Sequence, residues 1–321
     1  CGRLPSHATD SQQPRTIHDE ETGLIYYTFR MLNPTVGRWL QTDPLGYPDG
    51  LSRHAAYHIL HGELDPLGMT IYMKCDAASE KYLQDSGVTG YEIKLSEVKP
   101  GWGRFQGTPT YDANNVVSEI LGRMIAASQS FAVTEGTVSN LQKHVEARQQ
   151  IVTAANQAKF NFGVKDQCKW NPEFFHFDKT KGLVPNSGVS KSEAFNDVLE
   201  HPEKYTLACF EGTQFVFFAG IANAMGKDAF DALTQDPSRS DKRPEWIPGD
   251  WGYITNTKSD GNPALLGENI IYLGNGLYWG HMSQVHKPKT IEEWMEEVKS
   301  WNNGNAVVES KRTRPQVGLD N

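Results

Sequence analysis

Several features that would assign a function at once are missing from this 321-residue sequence. Lys and Arg, 31 residues in all, are outnumbered by 39 Asp and Glu and form no basic cluster. The formal net charge of −8 argues against nucleic-acid binding, which needs a basic face to neutralise phosphates. No apolar run approaches the roughly 20 residues that span a bilayer. We therefore expect no nucleic-acid partner and no membrane span.

Cysteine is also scarce, and its four residues lie far apart: Cys1, Cys75, Cys168 and Cys209. They form no CxxC pair and have no His at zinc-finger spacing, which argues against a disulfide scaffold and a structural zinc site. No phosphate loop and no flavin or nicotinamide fingerprint is found, so we predict no cofactor and no metal. Each cysteine is therefore free to be an ordinary core residue or a nucleophile.

The start of the chain is polar and has no signal-peptide pattern. It also has no initiator Met, and we expect a fragment of a longer protein. The hydrophobic fraction of 38% is typical of a packed globule, and the length suits two ordinary domains or one large one.

Residues 1–69 are rich in Gly, Pro, Tyr and Arg, and their short apolar runs between turn signals predict β-strands. One spaced pattern runs through this part: Asp19, Glu21, Thr22, Gly23, Tyr26, Arg30, Pro34, Gly37, Arg38, Asp43, Pro44 and Gly46. The pattern closely resembles the closing segment of the Rhs-repeat core. The resemblance implies β-hairpins from the end of a shell, followed by a variable payload that is often a toxin.

Two Asp-Pro elements lie at the end of this part, one starting at Asp43 and the other running from Asp65 to Met69. Taken singly, each is an ordinary turn starter. At this spacing, the resemblance implies an aspartate pair, one protonated and one ionised, that hydrolyses the bond after Met69. We therefore predict self-cleavage by Asp43 and Asp65.

The pattern beyond residue 69 predicts three further parts: a joining region over 70–115, a main domain over 116–300 and a loose polar tail over 301–321. The joining region contains a Pro/Gly-rich loop over residues 98–111. Ser190, with Glu193 three residues later, forms a capping box and predicts a short helix. Apolar residues at helical spacing predict another helix: Val116, Ile120, Leu121 and Met124.

Cys209 stands between a short strand-like run and an apolar stretch from about Phe210 to Met225. That stretch is hydrophobic nearly all round and predicts a buried helix. The positive end of a helix dipole lowers the pKa of a thiol at its start, and a thiolate is the nucleophile of acyl-enzyme chemistry. A lone cysteine is more often a small core residue, so this block alone leaves both interpretations open.

A hairpin signal lies within residues 265–282, with Asn275-Gly276 at its tip. Pairing outward from this turn predicts three cross-strand pairs: Gly274 with Leu277, Tyr272 with Trp279, and Ile270 with His281. Glu268 then lies diagonal to His281 on one face of the ribbon, where both can reach a common partner such as the thiol. The same pattern also fits a surface Glu and a core His.

The two blocks carry a set of spaced residues: Tyr205, Cys209, Gly226, Asp228, Phe230, Gly267–Gly274 and Tyr278–Met282. The set resembles the bacterial spore-coat transglutaminase family, which comprises protein-glutamine γ-glutamyltransferases, over about residues 160–282. The resemblance implies that Cys209 is the nucleophile, Glu268 its acid/base partner and His281 a supporting polar group. The substrates would be proteins, with a glutamine donor and a lysine acceptor. The family has Glu directly before the Cys, where this chain has Ala208.

The resemblances together predict an α+β fold: a papain-like or NlpC/P60-like cysteine transferase domain, with an antiparallel sheet and helices, behind the Rhs remnant. As the payload of an Rhs protein the domain would be secreted or delivered, and an immunity protein is a candidate partner. A glutamine deamidase toxin, a papain-like peptidase or amidase, and a catalytically inactive interaction module remain as alternatives. Four aromatic residues are candidates either for a water-restricting tunnel or for ordinary core: Trp170, Phe174, Phe175 and Trp279.

Overall fold

A computed structural model describes residues 70–320, apart from 165–166, 179–181, 259–265, 282–286 and 302–303, together with four short strands before residue 70. The chain divides into two compact units, Cys1–Pro66 and Leu67–Asn321. The division falls near residue 69, where the sequence places the end of the first part.

The described strands of the first unit form one antiparallel sheet in sequence order: β1 (Ile17–His18), β2 (Ile25–Tyr26), β3 (Met31–Asn33) and β4 (Arg38–Trp39). Strands β2, β3 and β4 lie within the stretch that resembles the Rhs core, and their assignment to such a core stays a prediction. Asp43, Asp65 and Met69 lie outside the described residues, so self-cleavage stays a prediction as well.

The elements of the second unit up to residue 200 are β5 (Thr70–Lys74), α1 (Ala77–Asp85), β6 (Thr89–Leu95), β7 (Trp102–Thr110), α2 (Val116–Ala126), β8 (Ser130–Ala132), α3 (Val138–Gln157), β9 (Asn161–Phe162), β10 (Phe175–Asp178), β11 (Gly182–Pro185) and α4 (Lys191–Glu200). The later elements are β12 (Thr206–Leu207), α5 (Cys209–Met225), α6 (Lys227–Asp231), β13 (Ser238–Lys242), β14 (Trp251–Asn256), β15 (Gly267–Gly274), β16 (Leu277–Gly280), α7 (Ile291–Ser300), β17 (Ala306–Val308) and β18 (Lys311–Pro315). Helices alternate with mostly antiparallel sheets, which is the α+β organisation that the sequence predicts.

The predicted joining region is a folded part of the second unit. Residues 70–115 form β5, α1, β6 and β7, and the sheet order is β6-β7-β5-β8. Residues 98–111, expected to form a Pro/Gly-rich loop, are largely strand β7. Gly103 does not interrupt the strand; it allows the neighbouring strand to pack closely. A Cβ at Gly103 would lie 2.8 Å from the Lys94 carbonyl oxygen, so only glycine allows the neighbouring strand to approach.

The helix that carries Cys209 forms as predicted. α5 runs from Cys209 to Met225, is buried on most of its surface, and ends at Gly226 in a left-handed conformation. It packs closely against α3: a Cβ on Gly220 would lie 2.4 Å from the Ile151 Cα. The predicted helix at Ser190 is confirmed too, since the Ser190 hydroxyl accepts the first-turn N–H of Glu193 in α4.

The predicted polar tail is wrong: it supplies two strands of the central sheet. The order in that sheet is β13-β18-β14-β15-β16, with β17 also pairing with β14. Arg314 of β18 is buried in an ion pair with Asp241 at 2.6 Å, and the Arg312 guanidinium lies 3.7 Å above the Trp246 ring. Arg312 and Arg314 are therefore paired inside the fold rather than solvated.

The β15–β16 hairpin turns at Asn275-Gly276 as predicted, with both residues at positive φ. Gly274 pairs with Leu277, also as predicted. The pairs expected farther from the turn are wrong, because a bulge between Tyr272 and Gly274 shifts the register by one residue. The observed pairs are Tyr272 with Tyr278, Ile271 with Trp279, and Ile270 with Gly280.

Candidate active site

Cys209 is the first residue of α5 and is partly exposed. Strand β12, which pairs in parallel with β9, leads directly into it. The N-cap residue, Ala208, contributes no side-chain hydrogen bond to the first turn. The backbone N–H groups of that turn and the positive end of the helix dipole therefore remain available to an anion formed beside the sulfur.

Asn269 holds the sulfur in place. Its side-chain N–H donates to Cys209 Sγ at 3.4 Å. The orientation of this amide is fixed by Trp251, whose indole N–H donates to Asn269 Oδ1 at 2.8 Å. The Thr213 hydroxyl, one turn into α5, donates to the Asn269 carbonyl oxygen at 3.4 Å. No sequence motif indicated a role for the Asn269 side chain by itself. Asn269 directly follows Glu268 in β15, so strand alternation places the two side chains on opposite faces of the sheet.

The structure does not give the low thiol pKa that the helix start predicts. Burial, and after it the negative charge of Glu268, raises the pKa of Cys209 to about 12, although hydrogen bonds from Asn269 act in the opposite direction. The resting site therefore holds a neutral thiol at neutral pH. Such a sulfur needs a base that takes its proton as it attacks, rather than a preformed thiolate.

Glu268 is fully buried, and its carboxylate Oε1 accepts the backbone N–H of His281 at 2.7 Å. Gly280 leaves room for this arrangement, because a Cβ there would lie 3.2 Å from that oxygen. The carboxylate is close enough to Cys209 for its charge to act on the thiol. Glu268 therefore belongs to the electrostatic surroundings of the sulfur.

His281 is also fully buried, and its Nε2 lies 3.0 Å from the Leu207 carbonyl oxygen. A carbonyl only accepts, so Nε2 carries the proton and donates it. The ring packs 4.5 Å from the Phe160 ring, and a Cβ on Gly212 would lie 2.7 Å from its Cδ2. His281 thus ties the segment before the nucleophile to the first turn of α5, which suits a supporting group better than a base.

The three side chains that the sequence predicts come together at one place, where the start of α5 meets the hairpin. The predicted strand pairs around His281 were wrong, but Glu268 still contacts this residue. The contact is a hydrogen bond to the backbone N–H of His281 and does not involve the imidazole. Tyr253, on the strand beside β15, is a further member that the sequence did not indicate. Burial, and after it the charges of Glu309 and Glu268, raises the pKa of its phenol, and a Cβ on Gly267 would lie 2.6 Å from its hydroxyl.

Two pockets flank the nucleophile. The Glu211 pocket, of about 360 Å³, is lined by Cys168, Trp170, Phe177, Leu183, Leu207, Ala208 and Glu211. The Trp251 pocket, of about 340 Å³, has Phe210, Gln214, Trp251, Tyr253 and Asn269 in its wall, with polar residues of β13 and β18. Ala208 lines the Glu211 pocket and Phe210 lines the Trp251 pocket, so each pocket includes one chain neighbour of Cys209.

Of the four aromatic residues considered for a tunnel, Trp170 lines the Glu211 pocket. Phe175 and Trp279 are buried in the main apolar core, and Phe174 packs against that core. The described residues contain no group of three or more His, Cys, Asp or Glu side chains that could hold a metal ion. In the same part of the chain, no helix has both the length and the apolar character needed to cross a membrane.

A family model described as protein-glutamine gamma-glutamyltransferase matches residues 101–318, which is more than half of the chain. The chain belongs to this transglutaminase family. The match reaches well beyond the 160–282 likeness seen in the sequence and includes β7, β17 and β18.

Curated relatives carry the same description at modest identity. The protein-glutamine gamma-glutamyltransferase of Bacillus pumilus is 25% identical over 177 residues, covering 50% of this chain and 71% of the relative. Those of Bacillus mycoides and Bacillus cereus are each 29% identical over 177 residues, covering 49% of this chain and 62% of the relative. The chain thus matches less than two thirds of the length of these last two relatives.

A solved transglutaminase from Geobacillus stearothermophilus, without its C-terminal extension, superposes with a TM-score of 0.50 at 24% identity. The superposition covers 57% of this chain and 94% of that structure. It shows a transglutaminase-like fold that mixes helices and sheets.

Proposed function

We propose that this domain is a protein-glutamine γ-glutamyltransferase that passes the acyl group of a glutamine side chain through a Cys209 thioester to a lysine amine. One observation carries the proposal. Cys209 lies partly exposed at the start of α5, hydrogen-bonded by Asn269 and within electrostatic range of the buried Glu268 carboxylate. Family membership supports the reaction class, and this geometry supports the choice of residues.

In the first half-reaction, Glu268 accepts the thiol proton while Cys209 Sγ attacks the carboxamide carbon. The carbon–sulfur bond forms, and the carbonyl oxygen becomes an oxyanion that the first-turn N–H groups of α5 stabilise. Glu268 then returns the proton to the amide nitrogen, the carbon–nitrogen bond breaks, and ammonia leaves. The thioester remains on Cys209.

In the second half-reaction an amine or water attacks the thioester. An amine gives an isopeptide crosslink, whereas water gives glutamate and amounts to deamidation. Ala208, which stands where the family has Glu, favours glutamine deamidase as the second candidate function. A peptidase with His281 as its base is less well supported, because the Nε2 proton of His281 is donated to Leu207.

The test incubates the purified chain with a glutamine-containing protein and a labelled primary amine. We expect ammonia release together with amine incorporation, and loss of both in Cys209→Ala. Ammonia release without incorporation identifies a deamidase, and peptide-bond cleavage identifies a peptidase. A wild-type protein that does none of these, and whose Cys209 a thiol reagent fails to label, contradicts the enzyme proposal.

We further propose that this domain is the payload of an Rhs protein, secreted or delivered, with an immunity protein as its partner. The pattern from Asp19 to Gly46 and the spacing of the two Asp-Pro elements support this. The full chain should yield a fragment that begins at Thr70, detectable by intact mass. Asp43→Asn and Asp65→Asn should each prevent its formation, and cleavage that persists in both variants contradicts the proposal.

The finer fold assignment also remains our proposal. A nucleophilic Cys at a helix start, with partners on an antiparallel hairpin that follows it in the chain, suits a papain-like or NlpC/P60-like arrangement.

A further inference from the structure

The Glu211 pocket contains a carboxylate that the mechanism above does not use. Glu211 lies in the first turn of α5, two residues after Cys209. Among the residues that the structure describes, its carboxylate has no hydrogen-bond or ion-pair partner. Its Oε1 lies beside the start of β11, where a Cβ on Gly182 would be 3.6 Å away. This carboxylate therefore forms the acidic part of the pocket wall.

The remaining wall of the pocket is mostly apolar. Trp170 and Phe177 stand with ring centroids 6.4 Å apart, and Leu183 and Leu207 lie behind them. Phe177 is 57% exposed, so an aromatic ring marks the mouth of the pocket. Apolar walls with one carboxylate complement a cation at the end of a methylene chain, as in the side chain of lysine.

The pocket opens next to the nucleophile. Ala208, directly before Cys209, is part of its wall. Burial, and after it the negative charge of Glu211, raises the pKa of Cys168 in the same pocket. Burial and the charge of Glu268 raise the pKa of Cys209, and Glu211 adds a smaller contribution. Glu211 is thus near the sulfur on which the thioester forms.

We propose that the Glu211 pocket binds the acceptor lysine and that Glu211 removes a proton from its ammonium group. The proposal rests on the proposed transferase function and adds a binding site and a base for its second half-reaction. The apolar wall holds the methylene chain, and the carboxylate directs the nitrogen toward Cys209.

The step balances as follows. The lysine ammonium gives one proton to Glu211 and becomes a neutral amine. Its nitrogen attacks the thioester carbon, the carbon–nitrogen bond forms, and the carbon–sulfur bond breaks. The departing sulfur takes the second proton from nitrogen, which restores the Cys209 thiol. Glu211 then releases its proton to solvent.

Two acceptors test this in Glu211→Gln. A labelled diamine such as cadaverine is positively charged at neutral pH, like lysine, whereas hydroxylamine is uncharged there and needs no base. We expect kcat/KM for the diamine to fall about 100-fold, as for loss of a general base. Hydroxylamine incorporation and ammonia release should fall far less. The loss should diminish as the pH approaches the amine pKa of roughly 10.4.

Glu173→Gln, which changes an exposed carboxylate on the preceding loop, is the matched control and should behave as wild type. Phe177→Ala removes an exposed ring that does not hold the core, and it should raise the KM for the diamine while kcat stays close to wild type.

An equal fall for both acceptors in Glu211→Gln overturns the proposal, since Glu211 would then act through Cys209. Diamine kinetics unchanged in both variants would overturn it as well. Failure of the transferase proposal looks different: the wild-type protein itself would then release no ammonia from glutamine.

Discussion

The carboxylates of Asp250 and Glu268 are both fully excluded from solvent, yet they have different surroundings. Asp250 accepts hydrogen bonds from Arg148, Arg243 and the Ile247 N–H. Glu268 accepts the backbone N–H of His281 and acts electrostatically on Cys209. The comparison shows that burial alone does not assign a role to a carboxylate: guanidinium partners indicate a structural role, whereas a neighbouring thiol indicates a chemical one.

The Asp250 cluster ties α3 to the central sheet. Burial by itself would raise the pKa of Asp250, but Arg243 and Arg148 lower it below its usual value. Arg148 also donates through Nε to His144 Nε2 at 2.8 Å, while His144 Nδ1 lies 3.1 Å from the Val317 carbonyl oxygen. The cluster therefore joins a helix, the segment before β14 and the residues after β18.

The largest effect that separates the two carboxylates should come from Asp250→Asn. The substitution leaves two buried guanidinium groups without a counter-charge, and we expect the free energy of unfolding to fall by about 3–5 kcal/mol. Urea denaturation followed by far-UV circular dichroism measures the change. Asp85→Asn, which breaks an exposed pair with Lys81, is the control and should cost under about 1 kcal/mol. Equal losses of unfolding free energy in Asp250→Asn and Asp85→Asn would contradict the structural role of Asp250.

Glu268→Gln should reduce activity strongly and stability little, the opposite of what we expect for a structural carboxylate. We expect transferase kcat/KM to fall about 100-fold, equivalent to about 2.7 kcal/mol, while the urea midpoint changes much less than in Asp250→Asn. Glu92→Gln, at an exposed carboxylate, should leave both activity and stability at wild-type values. A large loss of stability with full specific activity in Glu268→Gln would reverse the assignment.

Glu268→Gln also tests how the charge of Glu268 affects the reactivity of the Cys209 thiol. The charge of Glu268 raises the pKa of Cys209, so its removal should lower that pKa and increase the thiolate fraction. Alkylation of Cys209 by iodoacetamide at pH 8, followed by peptide mass mapping, should then become faster although transfer is slower. Slower alkylation would show that Glu268 favours the thiolate instead.

The smallest effect concerns acid pH. Burial, and after it the charge of Arg148, lowers the pKa of His144 well below 6.5, so this imidazole stays neutral in the folded protein. The unfolded chain takes up a proton below about 6.5, and stability should therefore fall as the pH drops, by up to about 1.4 kcal/mol per pH unit. Thermal unfolding between pH 7 and pH 5 measures this slope. A His144→Gln variant should have a shallower slope, and an unchanged one would exclude His144 as its origin.

Local patterns predicted some elements well. α5 was predictable because its apolar residues cover the whole helix surface, and the Asn275-Gly276 turn because both residues tolerate positive φ. These features depend on neighbouring residues only. Cys209 and Glu268 were accessible from the sequence through family-like motifs, whereas Asn269 and Tyr253 became evident only from the strand pairing.

Features that depend on distant partners were not predictable. The sequence around Arg314 predicts a solvated residue. Its ion-pair partner, Asp241, lies 73 residues earlier, so no local pattern indicates the pair. The bulge before Gly274 depends on how β15 packs, and it changed the predicted pairs without separating Glu268 from the site. The thiol pKa depends on burial by α5 and the hairpin together, which no local pattern records.

The position of β18 has a consequence for how the protein is made. This strand lies between β13 and β14, although the chain reaches it last. The central sheet cannot be completed until residues 311–315 have emerged from the ribosome, long after the nucleophile has been synthesised. Assembly of the sheet therefore waits until β18 has been synthesised, so the nascent chain carries Cys209 before the scaffold around it is finished.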